Sequence, residues 1–276
     1  MGKLLVLGFD ALEYDFVVKW NLTNLLQNQC SKIGVPIDEK IGKPISGPVW
    51  ASFLTGKART DKWFFRNYKK APTLKHGLKN KVITTLLFLK PYIPRKLRRR
   101  ALSMHVGMFY PDYLAERTFL DETNSKAINV PFYNYDYKEF YLMERSIKLL
   151  RKDEIDTEEV VCRIEDLWRE RKIQLVNELE DVDEYDVVFF FHNCLDQLQH
   201  FAYRNLYRIH KMYVDMDSFV GVLKHMLNDW DILIISDHGF DLQTKTHSLY
   251  GFFSSSATLN PKPTHITDLF GHICDR

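Results

Sequence analysis

Three stretches of the chain are apolar at nearly every position over a strand's length: KLLVLGF at 3–9, YDVVFFFHN at 185–193 and WDILIISD at 230–237. A run without alternation predicts a strand buried on both faces. Helical periodicity lies beside these runs, over about 156–181 before the second and about 198–228 between the second and third. Strand–helix–strand repetition of this kind predicts an α/β fold, a mainly parallel central sheet with helices on both faces. KAINVPF (126–132) and LYGFFSS (249–255) read as further strands, and VWASFLTG, closed by Gly56, as a short amphipathic helix.

The polar residues that end these runs carry the chemistry. In open α/β sheets the working groups gather at the carboxyl ends of the strands. Asp10 ends the first run, Asp196 closely follows the second, and Asp237 with His238 ends the third. Asp196 and His200 are four apart where a helix begins, so both can face one point, as a zinc or manganese ligand pair does. Alone, the pair reads first as a capping Asp beside an exposed His. Asp237 and His238 converge only in a turn, which Gly239 permits. With His247 the set reaches three Asp and three His, enough for two metals with about three protein ligands each.

Ser46 opens the stretch SGPVWASFLTGK, and a hydroxyl at a helix start lies where backbone N–H groups favour anions. The plainer role for it is an N-cap. Ser52 and Thr55 read as residues within that helix, and the glycine spacing before TGK does not fit a phosphate loop. His210 and His225 fall in a helical run, His192 at a strand end suits a supporting position, and of His265 and His272 the former is the rival to His247.

Composition adds bounds rather than direction. With 276 residues the chain suits one domain carrying an insertion, and a net charge of +2 says little about partners. Cys30, Cys162, Cys194 and Cys274 form no C-x-x-C pair and read as reduced thiols of a cytoplasmic protein. The N-terminus lacks the long apolar stretch of a signal peptide, and no segment approaches the roughly 18 uncharged residues of a spanning helix. Residues 57–100 differ from the rest, with fifteen Lys or Arg against one acid, Asp61, interleaved with Trp63, Phe64, Phe65 and Tyr68. We read about 60–150 as a mostly helical insertion over the sheet edge, ending its basic part in RKLRRR. Such a segment suits a polyanionic substrate, a nucleotide or phospholipid headgroup, or peripheral membrane contact; it reads equally as a solvated helical face. No specific nucleic-acid binding is expected.

Taken in order, Asp10, SGPVWASFLTG, LDQLQH, SDHGF and THSLYGFFS resemble the motifs of the alkaline phosphatase superfamily, in particular its type I phosphodiesterase/nucleotide pyrophosphatase family. The resemblance covers most of the chain, least over 60–125. It implies an alkaline-phosphatase-like fold and a metal-dependent phosphoric ester hydrolase. One divalent metal ion would be held by Asp196, His200 and His247, a second by Asp10, Asp237 and His238 with Ser46 as metal-bound nucleophile. Zinc is the expected metal and manganese the alternative, and a phosphoseryl intermediate is the expected covalent species. The alternatives are a phosphomonoesterase or phosphomutase of the same superfamily, or a non-catalytic polyanion-binding protein on this fold. Two departures bear on substrate. Val49 stands where nucleotide pyrophosphatases place a phosphoryl-binding asparagine, and Trp50 stands where a sulfatase needs arginine.

Overall fold

The structure is a computed structural model that describes residues 2–59, 114, 116–136, 145–146, 149–150 and 154–276. The strands in chain order are β1 (Lys3–Phe9), β2 (Gln29–Ile33), β3 (Ser125–Ile128), β4 (Val187–His192), β5 (Trp230–Ser236), β6 (Phe240–Asp241), β7 (Thr246–His247) and β8 (Gly251–Ser255). Six of them form one sheet in the order β2-β8-β5-β1-β4-β3, while β6 and β7 pair separately. The three apolar runs are its centre: β1 lies between β4 and β5 and pairs in parallel with both, and β3 pairs in parallel with β4. Only β8 and β2, at one side, pair antiparallel.

The helices are α1 (Tyr14–Lys19), α2 (Ser46–Thr55), α3 (Phe119–Glu122), α4 (Thr157–Glu178), α5 (Cys194–Ala202), α6 (Leu206–Met226) and α7 (Leu269–Cys274). Strand side chains alternate between two cores. Leu5, Leu7, Val188, Phe190, Ile232 and Ile234 pack with α4, α5 and α6 on one face. Leu4, Val6, Phe189, Phe191, Leu233 and Ile235 pack with α2, α3 and α7 on the other. Covering both faces removes the need for polar alternation, which is why the strands read as continuous apolar runs.

Three local findings refine the sequence reading. The helical stretch expected over about 198–228 is two helices, α5 and α6, because Asn205 accepts a hydrogen bond from the Arg208 N–H and starts a new helix there. The segment expected as an amphipathic helix, α2, is buried from Gly47 through Thr55, sandwiched between the sheet and α7, and ends at Gly56 with φ 66°. Strand β2 was not expected, since its partly exposed sequence QCSKI gives no apolar run; pairing with β8 makes it a strand. The insertion expected over about 60–150 falls largely outside the described residues, as do Arg95, Lys96, Arg98, Arg99 and Arg100. Within that range, Ser125–Ile128 belongs to the main sheet.

Candidate active site

Backbone register brings the candidate residues level. Phe9 pairs with His192 and Gly8 with Ile235, so Asp10, the start of α5 and Asp237 leave the sheet side by side. The chain turns sharply there. Ala11 holds φ 63°, a left-handed conformation that costs a non-glycine residue roughly 1–2 kcal/mol. Its N–H donates to Asp237 Oδ1 at 3.3 Å and its carbonyl accepts from Gln199 Nε2 at 2.8 Å. The strained residue thus ties the Asp10 turn to both β5 and α5, as over-determined backbone at a functional site is.

Two clusters result, Asp10–Asp237–His238 and Asp196–His200–His247, and within each the ligand-type atoms all lie within 4.8 Å of one another. The first is buried: His238 Nε2 is 3.4 Å from Asp10 Oδ1 and 3.2 Å from Asp237 Oδ2. The second faces outward: Asp196 Oδ1 is 3.3 Å from His200 Nε2 and 3.8 Å from His247 Nε2. The spacing of four between Asp196 and His200 is realised on α5 as one turn of helix.

The tautomers are set by the backbone. His238 Nδ1 lies 3.1 Å from the Gly239 carbonyl and His247 Nδ1 lies 3.1 Å from the Pro44 carbonyl. A carbonyl can only accept, so each Nδ1 carries the proton and each Nε2 turns a lone pair toward carboxylate oxygens. Lone pairs facing lone pairs in a buried place require a cation or a proton between them. Asp196 Oδ1 and Asp237 Oδ2 are also buried with no hydrogen-bond partner. The donor set therefore fits divalent metal ions, with each histidine's second nitrogen anchored as metal-ligating histidines usually are.

Electrostatics agree. Burial, with the charges of Asp237 and Asp196, holds the Asp10 carboxyl well above the usual range, and burial pushes Asp237 up to about 7. Burial opposes ionisation of Asp196 too, but His200 beside it, with His238 and His247, holds it below its ordinary value. Burial lowers His238 and His247.

Ser46 is not an N-cap. The capping position of α2 is Ile45, and Ser46 is the first helical residue. Its Oγ lies 3.0 Å from His238 Nε2 and donates to Asp10 Oδ1 at 3.4 Å. The segment before it is fastened to the second cluster, since Lys43 Nζ donates to the His247 carbonyl at 3.0 Å and Pro44 receives His247 Nδ1–H. Val49 is fully buried in the apolar core, so it offers Ser46 no polar neighbour.

The other histidines stand apart. His265 accepts from the Thr267 N–H and starts the turn before α7, leaving His247 as the histidine of the second cluster. His192 is a core residue whose ring lies 4.4 Å from Trp168 and 4.9 Å from Phe9, and burial lowers it to about 3.

Sequence reasoning did not find the residues behind the clusters. Ser236 Oγ accepts from the Leu12 N–H at 2.9 Å and donates to the His238 carbonyl at 2.6 Å. Glu13, 3 % exposed, accepts from Ser248 and Tyr250. Neither type marks itself in a sequence: a serine inside a strand and a glutamate beside a helix start are commonplace. Gly239 was expected to permit a turn, but its backbone is not left-handed; what excludes a side chain is Glu13 Oε2, which a Cβ would meet at 2.1 Å.

The family model described as type I phosphodiesterase/nucleotide pyrophosphatase matches residues 4–256. No curated protein matches the chain by sequence. Among solved structures, an inactive form of murine ectonucleotide pyrophosphatase/phosphodiesterase 5 in complex with AMP is 14% identical with a TM-score of 0.42, over 87% of this chain and 57% of that one. The PsFucS1 sulfatase from Pseudoalteromonas sp. is 11% identical with a TM-score of 0.49, over 99% of this chain and 67% of that one. This chain thus spans little more than half the length of the murine protein.

Proposed function

This chain belongs to the type I phosphodiesterase/nucleotide pyrophosphatase family, a family of divalent-metal-dependent phosphoric ester hydrolases, and we propose that it hydrolyses phosphoric diesters with Ser46 as nucleophile. The observation that carries the proposal is the position of Ser46 Oγ. Released from capping, it points at His238 Nε2 and Asp10 while the start of α2 lies behind it.

Asp10, Asp237 and His238 would hold one divalent cation and Asp196, His200 and His247 another, with zinc favoured by the mixed imidazole and carboxylate donors. Such cations supply positive charge that favours ionisation of a bound hydroxyl and offsets phosphoryl charge. The chain's own part is orientation and anion binding. Ser46 and Gly47 sit in the first turn of α2, where N–H groups lack carbonyl partners within the helix and can meet phosphoryl oxygens. Ser46 Oγ would form the new bond to phosphorus as the bond to the leaving alcohol breaks on the far side. Asp10 Oδ1 accepts from Ser46 Oγ, and the serine proton would pass by way of it to water, which returns a proton to the leaving alkoxide. Water then frees the serine and releases a phosphomonoester.

With Val49 buried, no side-chain amide replaces the asparagine of nucleotide pyrophosphatases at that position, so the proposal rests on the diester and not on a nucleoside. A cytoplasmic setting belongs to the same proposal, on thiol chemistry: Cys194 is buried and burial pushes Cys30 up to about 11. Among the described residues no helix is long and apolar enough to cross a membrane. The test is turnover of aryl phosphate diesters and monoesters by the purified full chain, with zinc or manganese added and then chelated. Chelator-sensitive diester hydrolysis is expected; no turnover of either ester with either metal would overturn the reading.

A further inference from the structure

Both cluster histidines in the C-terminal part of the chain hang on one loop. His238 enters it and His247 leaves it, and two backbone bonds close its base: Gly239 N–H to the Tyr250 carbonyl and Ser248 N–H to the Gly239 carbonyl, each 3.0 Å. Glu13 seals that base from the β1 side. Its Oε2 accepts from Ser248 Oγ–H at 2.5 Å, and its Oε1 accepts from Tyr250 O–H at 2.7 Å and from the Asp15 N–H at 3.1 Å. Its own N–H donates to Tyr213 Oη at 2.8 Å, which fixes it to α6.

We infer that Glu13 is a positioning residue that sets His238 and His247 at the spacing the two clusters need. The inference rests on the metal-centred reading above for its purpose, though not for its geometry. A plainer role exists, because Glu13 is also the N-cap of α1. Capping uses only the bond from the Asp15 N–H, and any short polar side chain can supply it. The other contacts of its carboxylate fall on the loop: Ser248 directly follows His247, Tyr250 closes the base, and Gly239 directly follows His238. Gly239 approaches so closely that a Cβ would lie 2.1 Å from Glu13 Oε2. A carboxylate suits the place because both oxygens must accept, which an amide cannot do. Partners one step behind metal ligands commonly govern metal affinity about 10- to 100-fold.

Two substitutions separate positioning from capping. Glu13→Ser keeps a good cap but cannot reach Ser248, and Glu13→Gln keeps the length but loses one acceptor. The full-length chain, stripped with chelator, would be titrated with zinc, and its amide exchange measured without metal. Expected in both variants are zinc binding about 10- to 100-fold weaker and faster exchange at Gly239 and Ser248, with Leu5 and Ile234 in the sheet unchanged. Wild-type zinc affinity and loop exchange in Glu13→Ser would reduce Glu13 to a helix cap and overturn the inference. Faster exchange throughout the sheet as well would make it a general support of the fold and overturn it equally. If the wild-type chain takes up no zinc, the metal-centred reading fails, and the exchange at Gly239 and Ser248 still decides whether Glu13 sets the loop.

Discussion

His238 and His247 stack face to face, their ring centroids 3.7 Å apart and their planes 11° from parallel, although they belong to different ligand clusters. The two clusters therefore share a wall made of their own imidazoles. Each ring is locked from behind by a backbone carbonyl, Gly239 for one and Pro44 for the other. The stack sets the two clusters against each other, and the Lys43–Ser46 segment touches both.

Removing one side of that wall should affect both clusters unequally. His247→Ala deletes a ligand from the outer cluster and uncovers the face of His238. Zinc content measured on purified protein should fall by about one ion per chain, and the remaining ion should bind more weakly than in the wild type. Zinc content equal to that of the wild type would show that His247 is not a ligand.

Replacing the serine hydroxyl isolates its chemistry from its place in the fold. Ser46→Ala should lower diester turnover by roughly three to six orders of magnitude, as loss of a covalent nucleophile does. Its thermal midpoint should stay close to that of the wild type, because Ile45 and not Ser46 occupies the cap position of α2. Turnover within tenfold of the wild type would remove Ser46 from the nucleophile's role.

The pH dependence of the metal-free protein follows from Asp237. Its folded-state pKa is raised by burial to about 7 from an ordinary value of 3.8. The folded state thus binds the proton more tightly than the unfolded state, and this group's contribution to stability is lost as pH rises from about 4 through about 7. Asp237→Asn keeps the shape and has no charge to bury. In chelator, its melting temperature relative to wild type should climb over that pH window and level off above it; with zinc present the wild type should be the more stable. A difference independent of pH in chelator would contradict the buried, proton-holding carboxyl.

Gly239→Ala should destabilise the chain by about 1–3 kcal/mol, the usual cost of forcing a methyl group into an occupied place. The obstacle is Glu13 Oε2, with the Glu13 backbone behind it at 3.2 Å, so Glu13→Ala in the same chain should relieve only part of the loss. Denaturant midpoints of the two single variants and the double variant measure both terms. A neutral Gly239→Ala would mean that the loop does not rest on Glu13.

How much of this was legible in the sequence depends on where each constraint acts. The apolar runs at 3–9, 185–193 and 230–237 announced β1, β4 and β5, because a strand covered on both faces cannot hide its composition. Their end residues announced Asp10, Asp196, Asp237 and His238, and the helical spacing announced His200, since strand ends and helix turns are local geometry. Strand β2, whose QCSKI sequence buries only Ile33, was silent: its hydrogen bonds to β8 come from residues more than two hundred positions away.

What the sequence alone determined is therefore the central strands of a mainly parallel sheet and the kinds of groups at its edge, all of which follow from periodicity and residue chemistry within short windows. The motif resemblance already implied His247 and Ser46; the tertiary structure places His247 and not His265 beside Asp196 and His200, and turns Ser46 toward His238 and Asp10 instead of into a cap. It alone decided that Gly239 is a matter of space and not of backbone twist, and that Glu13 is buried against the loop carrying both histidines. These are contacts between segments far apart along the chain, fixed by how the packed layers meet, and no local pattern of residues encodes them.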